Sequence, residues 1–160
     1  MSSGNEAHRI VLSVIDRLMD DDPHESHDPF LDDTALLRTI QQSIRRDLEN
    51  LLNTRERCTT WNAQHSELEN SLINYGLPDF TAAALNAASD PDVLIDAIQK
   101  VIQLFEPRLT EVRIRHVTDE FHISRTFQFR IEATVIINEK KHLLLYDSTL
   151  ESATGQFNVK

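Results

Sequence analysis

The sequence of 160 residues contains a single cysteine and no long apolar run. Cys58 cannot form an internal disulfide bridge, which is typical of a protein from a reducing compartment. Apolar runs such as residues 135–137 and 143–145 fall far short of the ~18 residues that a membrane-spanning helix requires. The first residues include Glu6 and lack the cleavage site of a signal peptide. We therefore expect a cytoplasmic protein.

Glycine and basic residues are also scarce. Gly4, Gly76 and Gly155 stand alone, which excludes the glycine-rich turns that bind nucleotide phosphates. The 16 Lys and Arg residues against 26 Asp and Glu residues give a formal net charge of −10. Nucleic acids and anionic membranes attract a concentrated basic surface, which this chain lacks. The sequence therefore predicts no nucleic-acid partner, and it predicts no small-molecule substrate.

Apolar residues at helical spacing predict three helices in the first two thirds of the chain. The first spans residues 6–19 and the second spans residues 34–53. The third begins with Pro91 as its first helical residue and ends before Pro107, because the residue before a proline is pushed out of the helical region. Turn signals between the second and third helices predict an irregular segment with short helical pieces.

The chain divides at a proline-containing acidic stretch between the first two helices. Eight carboxylates within residues 16–33 face only one basic residue, Arg17, and such a stretch buries little apolar surface. We interpret residues 1–33 as an N-terminal amphipathic helix with an acidic linker. Residues 34–160 are interpreted as a single domain, a length that can support its own hydrophobic core.

The period of the pattern changes from 3.6 to 2 after Pro107, which indicates strands. The predicted strands span residues 109–117, 127–137, 142–150 and 157–159. In the first strand, Thr110, Val112, Ile114 and His116 are expected on the core face. Helices followed by hairpin-connected strands predict an α+β fold, with N-terminal helices packed on one face of a small antiparallel sheet formed by a C-terminal meander. The expected core contains Ile98, Ile102, Phe105, Phe127, Phe129, Ile131 and Val135.

No group of residues in the sequence meets the geometric needs of a catalytic or metal site. Residues 24–28 (HESHD) combine imidazole and carboxylate ligands, but they lie in the linker and are interpreted as solvated. The acids Glu106, Glu111, Asp119 and Glu120 are distributed over a helix end, a strand and a turn. They do not predict the paired carboxylates of a glycosidase cleft. We therefore predict no catalytic residue, no metal site and no cofactor.

The tripeptide Glu106-Pro107-Arg108 is anomalous, because a glutamate in the last turn of a helix faces the partial negative charge of the exposed carbonyls. Some other group should hold this carboxylate. One interpretation is a surface ion pair with Arg108 or Arg130. The other is a rigid, proline-fixed charged corner that docks into a partner and whose charges are desolvated only in the assembly. The residues alone favour neither interpretation.

Three segments resemble one family. Residues 43–55 (SIRRDLENLLNTR), residues 71–80 (SLINYGLPDF) and residues 105–109 (FEPRL) are similar, in this order, to segments of TssE, the small baseplate wedge subunit of bacterial type VI secretion systems. The similarity extends from about residue 11 to residue 159. Three separate motifs in the correct order are more specific than any one of them.

The resemblance implies a structural adaptor that joins the baseplate wedge to the first ring of the contractile sheath. It implies no hydrolysis, although the related phage domain is often labelled lysozyme-like, and it implies a location at the inner face of the cytoplasmic membrane. The implied partners are the TssF and TssG wedge subunits, contractile sheath subunits and other baseplate proteins. The implied partner-binding residues are Glu106, Pro107, Arg108, Asn74, Tyr75, Gly76, Leu77, Pro78 and Asp79.

Two further expectations concern the sheet and the alternatives. The last strands, near Tyr146 and Phe157, are expected at a sheet edge that accepts or donates a strand, as the strand-exchanging domain of sheath subunits does. The alternative functions are a regulatory protein-binding domain of the same fold, similar to an anti-adaptor, and a peptidoglycan hydrolase. The motifs at residues 71–80 and 105–109 favour the baseplate component over the regulatory domain, and the missing export signal counts against the hydrolase.

Overall fold

The fold is taken from a computed structural model that describes residues 13–18, 33–57, 63–78, 91–117, 126–151 and 153–160. Its helices are α1 (Val14–Leu18), α2 (Asp33–Asn53) and α3 (Pro91–Phe105), and two 3-10 helices, Ala63–Asn70 and Leu72–Asn74, lie between α2 and α3. Its strands are β1 (Leu109–His116), β2 (Thr126–Ile137), β3 (Lys140–Glu151) and β4 (Gln156–Val159). The predicted α2 and α3 are confirmed. Most of the predicted acidic linker, the 24–28 run and Cys58 lie outside the described residues.

The four strands form one antiparallel sheet in the order β1-β2-β3-β4. Each strand therefore pairs with its neighbour in the sequence, and the predicted C-terminal meander is confirmed. The β2–β3 hairpin closes through Asn138 and Glu139, whose φ angles are 47° and 63°. Two residues with positive φ match the twist of the strands that they connect. The hairpin pairs Ile137 with Lys140.

The hydrophobic core lies between one face of the sheet and the apolar stripes of α2 and α3. The helices contribute Ile40, Ile44, Leu48, Leu51, Leu52, Leu94, Ile98 and Ile102, all buried. The sheet contributes Phe129, Ile131, Ala133, Val135, Leu144 and Val159, among others. Phe105 and Phe127 are only half-buried, at the margin of this core. Ile98, Ile102, Phe129, Ile131 and Val135 thus belong to one core, as predicted.

The predicted alternation of β1 is wrong at its start. Thr110, expected on the core face, is exposed, whereas Leu109 is buried. The cause is a register shift between Thr110 and Arg113, where Glu111 has a φ of 55°. An extra residue in one strand reverses the faces of the residues before it. At the other end of the strand, His116 lies on the core face as predicted, opposite Phe129 and stacked on Phe127, but it is exposed at the margin of the core.

Helix α2 covers the edge of the sheet at β4. The Asn53 side chain donates to the Phe157 carbonyl and accepts from the Phe157 amide, both at 2.9 Å. Arg45 Nη1 donates to the Val159 carbonyl at 3.0 Å. Three backbone groups that an added strand would need are therefore occupied. β4 is an edge strand, as expected, but its outward groups at Phe157 are already bonded to α2. The unpaired edge is the part of β3 beyond β4.

None of the described helices combines the length and the apolar character needed to cross a membrane.

Candidate partner-binding site at the α3–β1 corner

The Glu106-Pro107-Arg108 corner joins the end of α3 to the start of β1. The Glu106 amide still donates to the Ile102 carbonyl at 2.9 Å, and the Leu109 amide donates to the Glu106 carbonyl at 3.1 Å. Pro107 has no amide hydrogen and cannot extend the helix. The chain therefore turns within three residues from helix to strand.

Arg108 is the centre of the corner. Its Nε and Nη2 donate to Glu106 Oε1 and Oε2 at 2.6 and 2.5 Å, an arrangement that uses both carboxylate oxygens. Its Nη2 also donates to Asp47 Oδ2 at 2.6 Å, and its Nη1 donates to Ser43 Oγ at 3.1 Å. Asp47 and Ser43 lie one helical turn apart on α2. Arg108 therefore ties the corner to the longest helix of the protein.

This arrangement matches neither interpretation of Glu106 in full, because Arg108 does pair with Glu106 but the pair is buried. The Glu106 side chain is 7% exposed and that of Arg108 is 15% exposed, so the pair does not lie on the surface. Arg130 instead pairs with Asp147. The expectation that the corner charges stay solvated until assembly is wrong, because α2 supplies their missing partner within the same chain.

The ionic network continues from Asp47 to α1. Arg46 donates to Asp47 Oδ1 through Nη2 at 3.1 Å and to Asp16 Oδ1 at 2.7 Å. Ser43 Oγ donates to the other oxygen of Asp16. Burial acts to raise the pKa of Asp16, but the hydrogen bonds from Ser43, Arg46 and Ser13 and the charge of Arg46 outweigh it and lower this pKa to about 2. Three acids and two arginines thus form one connected chain.

The electrostatic effect of the network extends to Arg108 and Tyr75. Burial acts to lower the pKa of Arg108, but the hydrogen bonds and negative charges of Glu106 and Asp47 raise it overall. The pKa of the Tyr75 hydroxyl is raised, first by burial and then by the charges of Asp47 and Glu106. At neutral pH, Arg108 is charged and Tyr75 is neutral.

The second predicted motif, around Gly76, is a backbone connection to the end of α2. The Leu77 amide donates to the Thr54 carbonyl at 2.9 Å, and the Glu56 amide donates to the Leu77 carbonyl at 2.8 Å. Gly76 has a φ of 120°, and a Cβ at this position would lie 2.5 Å from the Thr54 oxygen. Only glycine allows this approach without strain.

The two predicted motifs meet at the corner. The rings of Tyr75 and Phe105 make an edge contact with centroids 5.2 Å apart, directly before Glu106. Tyr75 therefore connects the Gly76 segment to the end of α3, next to the corner.

The predicted site residues differ in what they can offer a partner. Pro107 is exposed, and Asn74, Tyr75, Pro78 and Arg108 are half-buried. Gly76, Leu77 and Glu106 are buried; they can shape the surface but not form most of it. Asp79 lies outside the described residues.

The sequence reasoning missed four members of the network: Asp16, Ser43, Arg46 and Asp47. A signal was available, because Ser43 and Asp47 stand four residues apart beside the apolar stripe of α2. Polar residues on the buried side of a helix require hydrogen-bond partners. This signal identifies the residues but not their partners.

Other possible sites do not coincide with the corner. A polar groove of about 490 Å³ lies at the start of β4, and its lining includes Glu49, Asn53, Arg55 and Glu151. In the described parts of the chain, no group of three or more His, Cys, Asp or Glu side chains is arranged to hold a metal ion. The groove involves none of the predicted site residues, most of which lie at or next to the corner.

Comparisons with known proteins relate the chain to baseplates. Residues 38–140 match the family model described as "Baseplate wedge protein gp25". A solved chain from "The baseplate complex from the type VI secretion system" is 17% identical, with a TM-score of 0.47, over 70% of this chain and 94% of that chain. No curated protein matches the sequence. Because the family match covers most of the chain and includes α2, the Gly76 segment and the corner, the chain belongs to the gp25 family of baseplate wedge proteins, which are structural components and not enzymes.

Proposed function

We propose that this protein is a structural component of a type VI secretion baseplate that joins the TssF and TssG wedge subunits to the first ring of the contractile sheath. The observation that supports this proposal most strongly is the convergence of the three TssE-like segments. They come from α2, the Gly76 segment and the corner, and they contact one another: Arg108 binds Asp47, the Leu77 amide binds the Thr54 carbonyl, and Tyr75 packs on Phe105. The assembled protein would act in the cytoplasm, at the inner face of the cytoplasmic membrane.

The wedge would bind the exposed surface of the corner rather than its charges. Glu106 and Arg108 already use their hydrogen-bonding groups on each other and on α2. Pro107 is exposed, and Leu104 is 44% exposed on the last turn of α3. A proline and a leucine on a rigid support expose apolar area at low entropic cost, which suits a docking surface. The internal charges would hold this surface in shape.

The test is co-purification of TssF and TssG with surface variants of the corner. Leu104→Gln and Pro107→Ala should each weaken capture of the wedge by about tenfold or more, which corresponds to about 1.4 kcal/mol. The matched control is Val93→Gln, since Val93 is also exposed on α3 but at its other end. All three variants should unfold at the same temperature as the wild type. Wild-type capture by both corner variants would contradict the proposal.

The sheath subunit would pair with β3. The edge of β4 is capped by Asn53 and Arg45, and β1 carries a bulge, which impedes strand addition. In the described chain, β4 and Lys160 cover β3 only as far as Asp147. The Asp147 backbone exchanges both hydrogen bonds with Lys160. Because alternate residues of a strand direct their backbone groups to the same side, the amide and carbonyl groups of Leu145 and Leu143 also point away from β2. An added strand would hydrogen-bond there.

A proline variant tests this edge. Leu143→Pro should remove an outward-facing amide without breaking the β2–β3 ladder, and it should abolish capture of a sheath subunit. Leu143→Ala keeps the amide and should retain most of the binding. Equal binding by the proline variant and the wild type would exclude this edge. Because this assay contains no wedge subunit, its failure would leave the corner proposal standing.

A further inference from the structure

Helix α1 is attached to the domain by its polar side. Val14 and Leu18 are 70% and 78% exposed, and Ile15 is 50% exposed. The Asp16 side chain, in contrast, is only 16% exposed and points at α2. An amphipathic helix on a globular domain normally buries its apolar side. The orientation of α1 is the reverse, so its position depends on polar contacts.

The contact on α2 is built for a carboxylate. Ser43 Oγ donates to one oxygen of Asp16, and Arg46 Nη2 donates to the other at 2.7 Å. The Ser43 hydroxyl also accepts from Arg108 Nη1 at 3.1 Å, so its single proton is left for the carboxylate. Ser43 and Arg46 lie three residues apart on a helix of 21 residues. Each oxygen of the bound carboxylate thus meets its own donor on a rigid element.

The same contact is weakly secured in other respects. No residue of α1 belongs to the hydrophobic core of the described chain. The Arg46 side chain is 35% exposed, and a partly exposed ion pair contributes little to stability. Loss of α1 from α2 would cost the polar contacts of Asp16 and Ser13 but no core packing.

We propose that Ser43 and Arg46 form a carboxylate-binding site that the chain fills with its own Asp16 and that an acidic side chain on a helix of a partner protein can occupy instead. In the free chain, α1 acts as an intramolecular competitor. When α1 is displaced, Arg46 loses its ion pair with Asp16 and keeps only the pair with Asp47. Asp47 in turn remains bound to Arg108. An acidic partner side chain would restore that balance of charge.

The test uses the full chain with Asp16→Ala, which empties the site, and a labelled synthetic peptide of residues 8–20 as the probe. The peptide should bind this variant, and an Asp16→Asn replacement in the peptide should weaken binding by about tenfold or more. The wild-type chain should bind the peptide at least about tenfold more weakly, because a tethered competitor has an effective concentration of about 1 mM or more.

A second substitution in the Asp16→Ala chain identifies the residues that bind the carboxylate of the peptide. Adding Arg46→Ala to the Asp16→Ala chain should abolish peptide binding, whereas adding Arg38→Ala should not, since Arg38 is exposed elsewhere on α2. Urea unfolding of each variant confirms that the domain is folded.

Three results would overturn the proposal: no binding at about 1 mM peptide, equal binding of the peptide with and without its Asp16→Asn replacement, or equal binding by the wild-type and Asp16→Ala chains. Because the assay contains only this protein and a peptide, its failure would leave the proposed wedge contact untouched.

Discussion

Arg108 Nη2 lies 2.6 Å from Asp47 Oδ2, a contact between residues 61 positions apart in the sequence. It connects the turn after α3 to the middle of α2. Because Arg108 also holds both oxygens of Glu106, the tripeptide is in the first place an internal clamp. Any partner at this corner meets a surface whose shape the clamp maintains.

Loss of the clamp should destabilise the free protein. Arg108→Ala leaves Glu106 buried and unpaired, and breaking a buried pair in this way costs about 3–5 kcal/mol. The control is Arg130→Ala, which breaks the exposed pair with Asp147 and should cost about 0–1 kcal/mol. Urea unfolding measures both. Similar stabilities of the two variants would show that the corner charges are solvated.

The core prediction concerns Phe129, which is 1% exposed and contacts Phe157 edge-on. Phe129→Ala should lower the free energy of unfolding by about 3–5 kcal/mol, because it removes buried area and leaves a cavity. Phe127→Ala on the same strand should cost less, since Phe127 is half-buried. A melting temperature of the Phe129 variant close to that of the wild type would refute the assigned core face.

Gly76→Ala tests the connection between the Gly76 segment and α2. The new Cβ would lie 2.5 Å from the Thr54 oxygen, in backbone that cannot easily shift, and φ is 120°. We expect a loss of about 3 kcal/mol or more, since the conformational strain alone reaches about 1–3 kcal/mol. Gly155→Ala is the control: its φ is 67° and its nearest neighbour is the flexible end of Arg55. It should cost about 1–2 kcal/mol.

The contact of Asp16 should depend on pH in the acidic range. Its pKa falls from 3.8 to about 2 on folding, so the contact contributes stability above pH 3.8 and loses it as the pH falls toward 2. NMR titration of the Asp16 carboxyl carbon measures the midpoint. Arg46→Ala should move the midpoint upward, because Arg46 supplies both a hydrogen bond and a charge. A wild-type midpoint near 3.8 would contradict the contact.

Deletion of residues 1–32 should leave a domain that unfolds cooperatively. The described part of this segment, α1, contributes no residue to the core, and its contacts with Ser43 and Arg46 on α2 are polar. In the truncated protein, the free energy of unfolding should depend on the urea concentration almost as steeply as in the full chain. A small decrease in this slope is expected, because less surface becomes exposed on unfolding. A broad, non-cooperative transition would show instead that α1 is part of the folding unit.

Much of the fold was predictable because its signals are local. The apolar stripe of α2, the proline at the start of α3 and the alternation in β2 and β3 each report the environment of neighbouring residues. The bulge in β1 escaped this reasoning, since alternation does not reveal that Glu111 adopts a φ of 55°. One residue with unusual backbone geometry was enough to turn Thr110 to the solvent.

The candidate site shows the same division. The sequence alone determined the helices, the meander and the anomaly at Glu106, because each follows from residues adjacent in the chain. Only the tertiary structure decided that Arg108 binds Asp47, that Asp16 binds Ser43 and Arg46, and that Asn53 closes the edge at Phe157. These partners are 27 to 104 positions apart, and which distant polar groups meet depends on how the helices pack on the sheet.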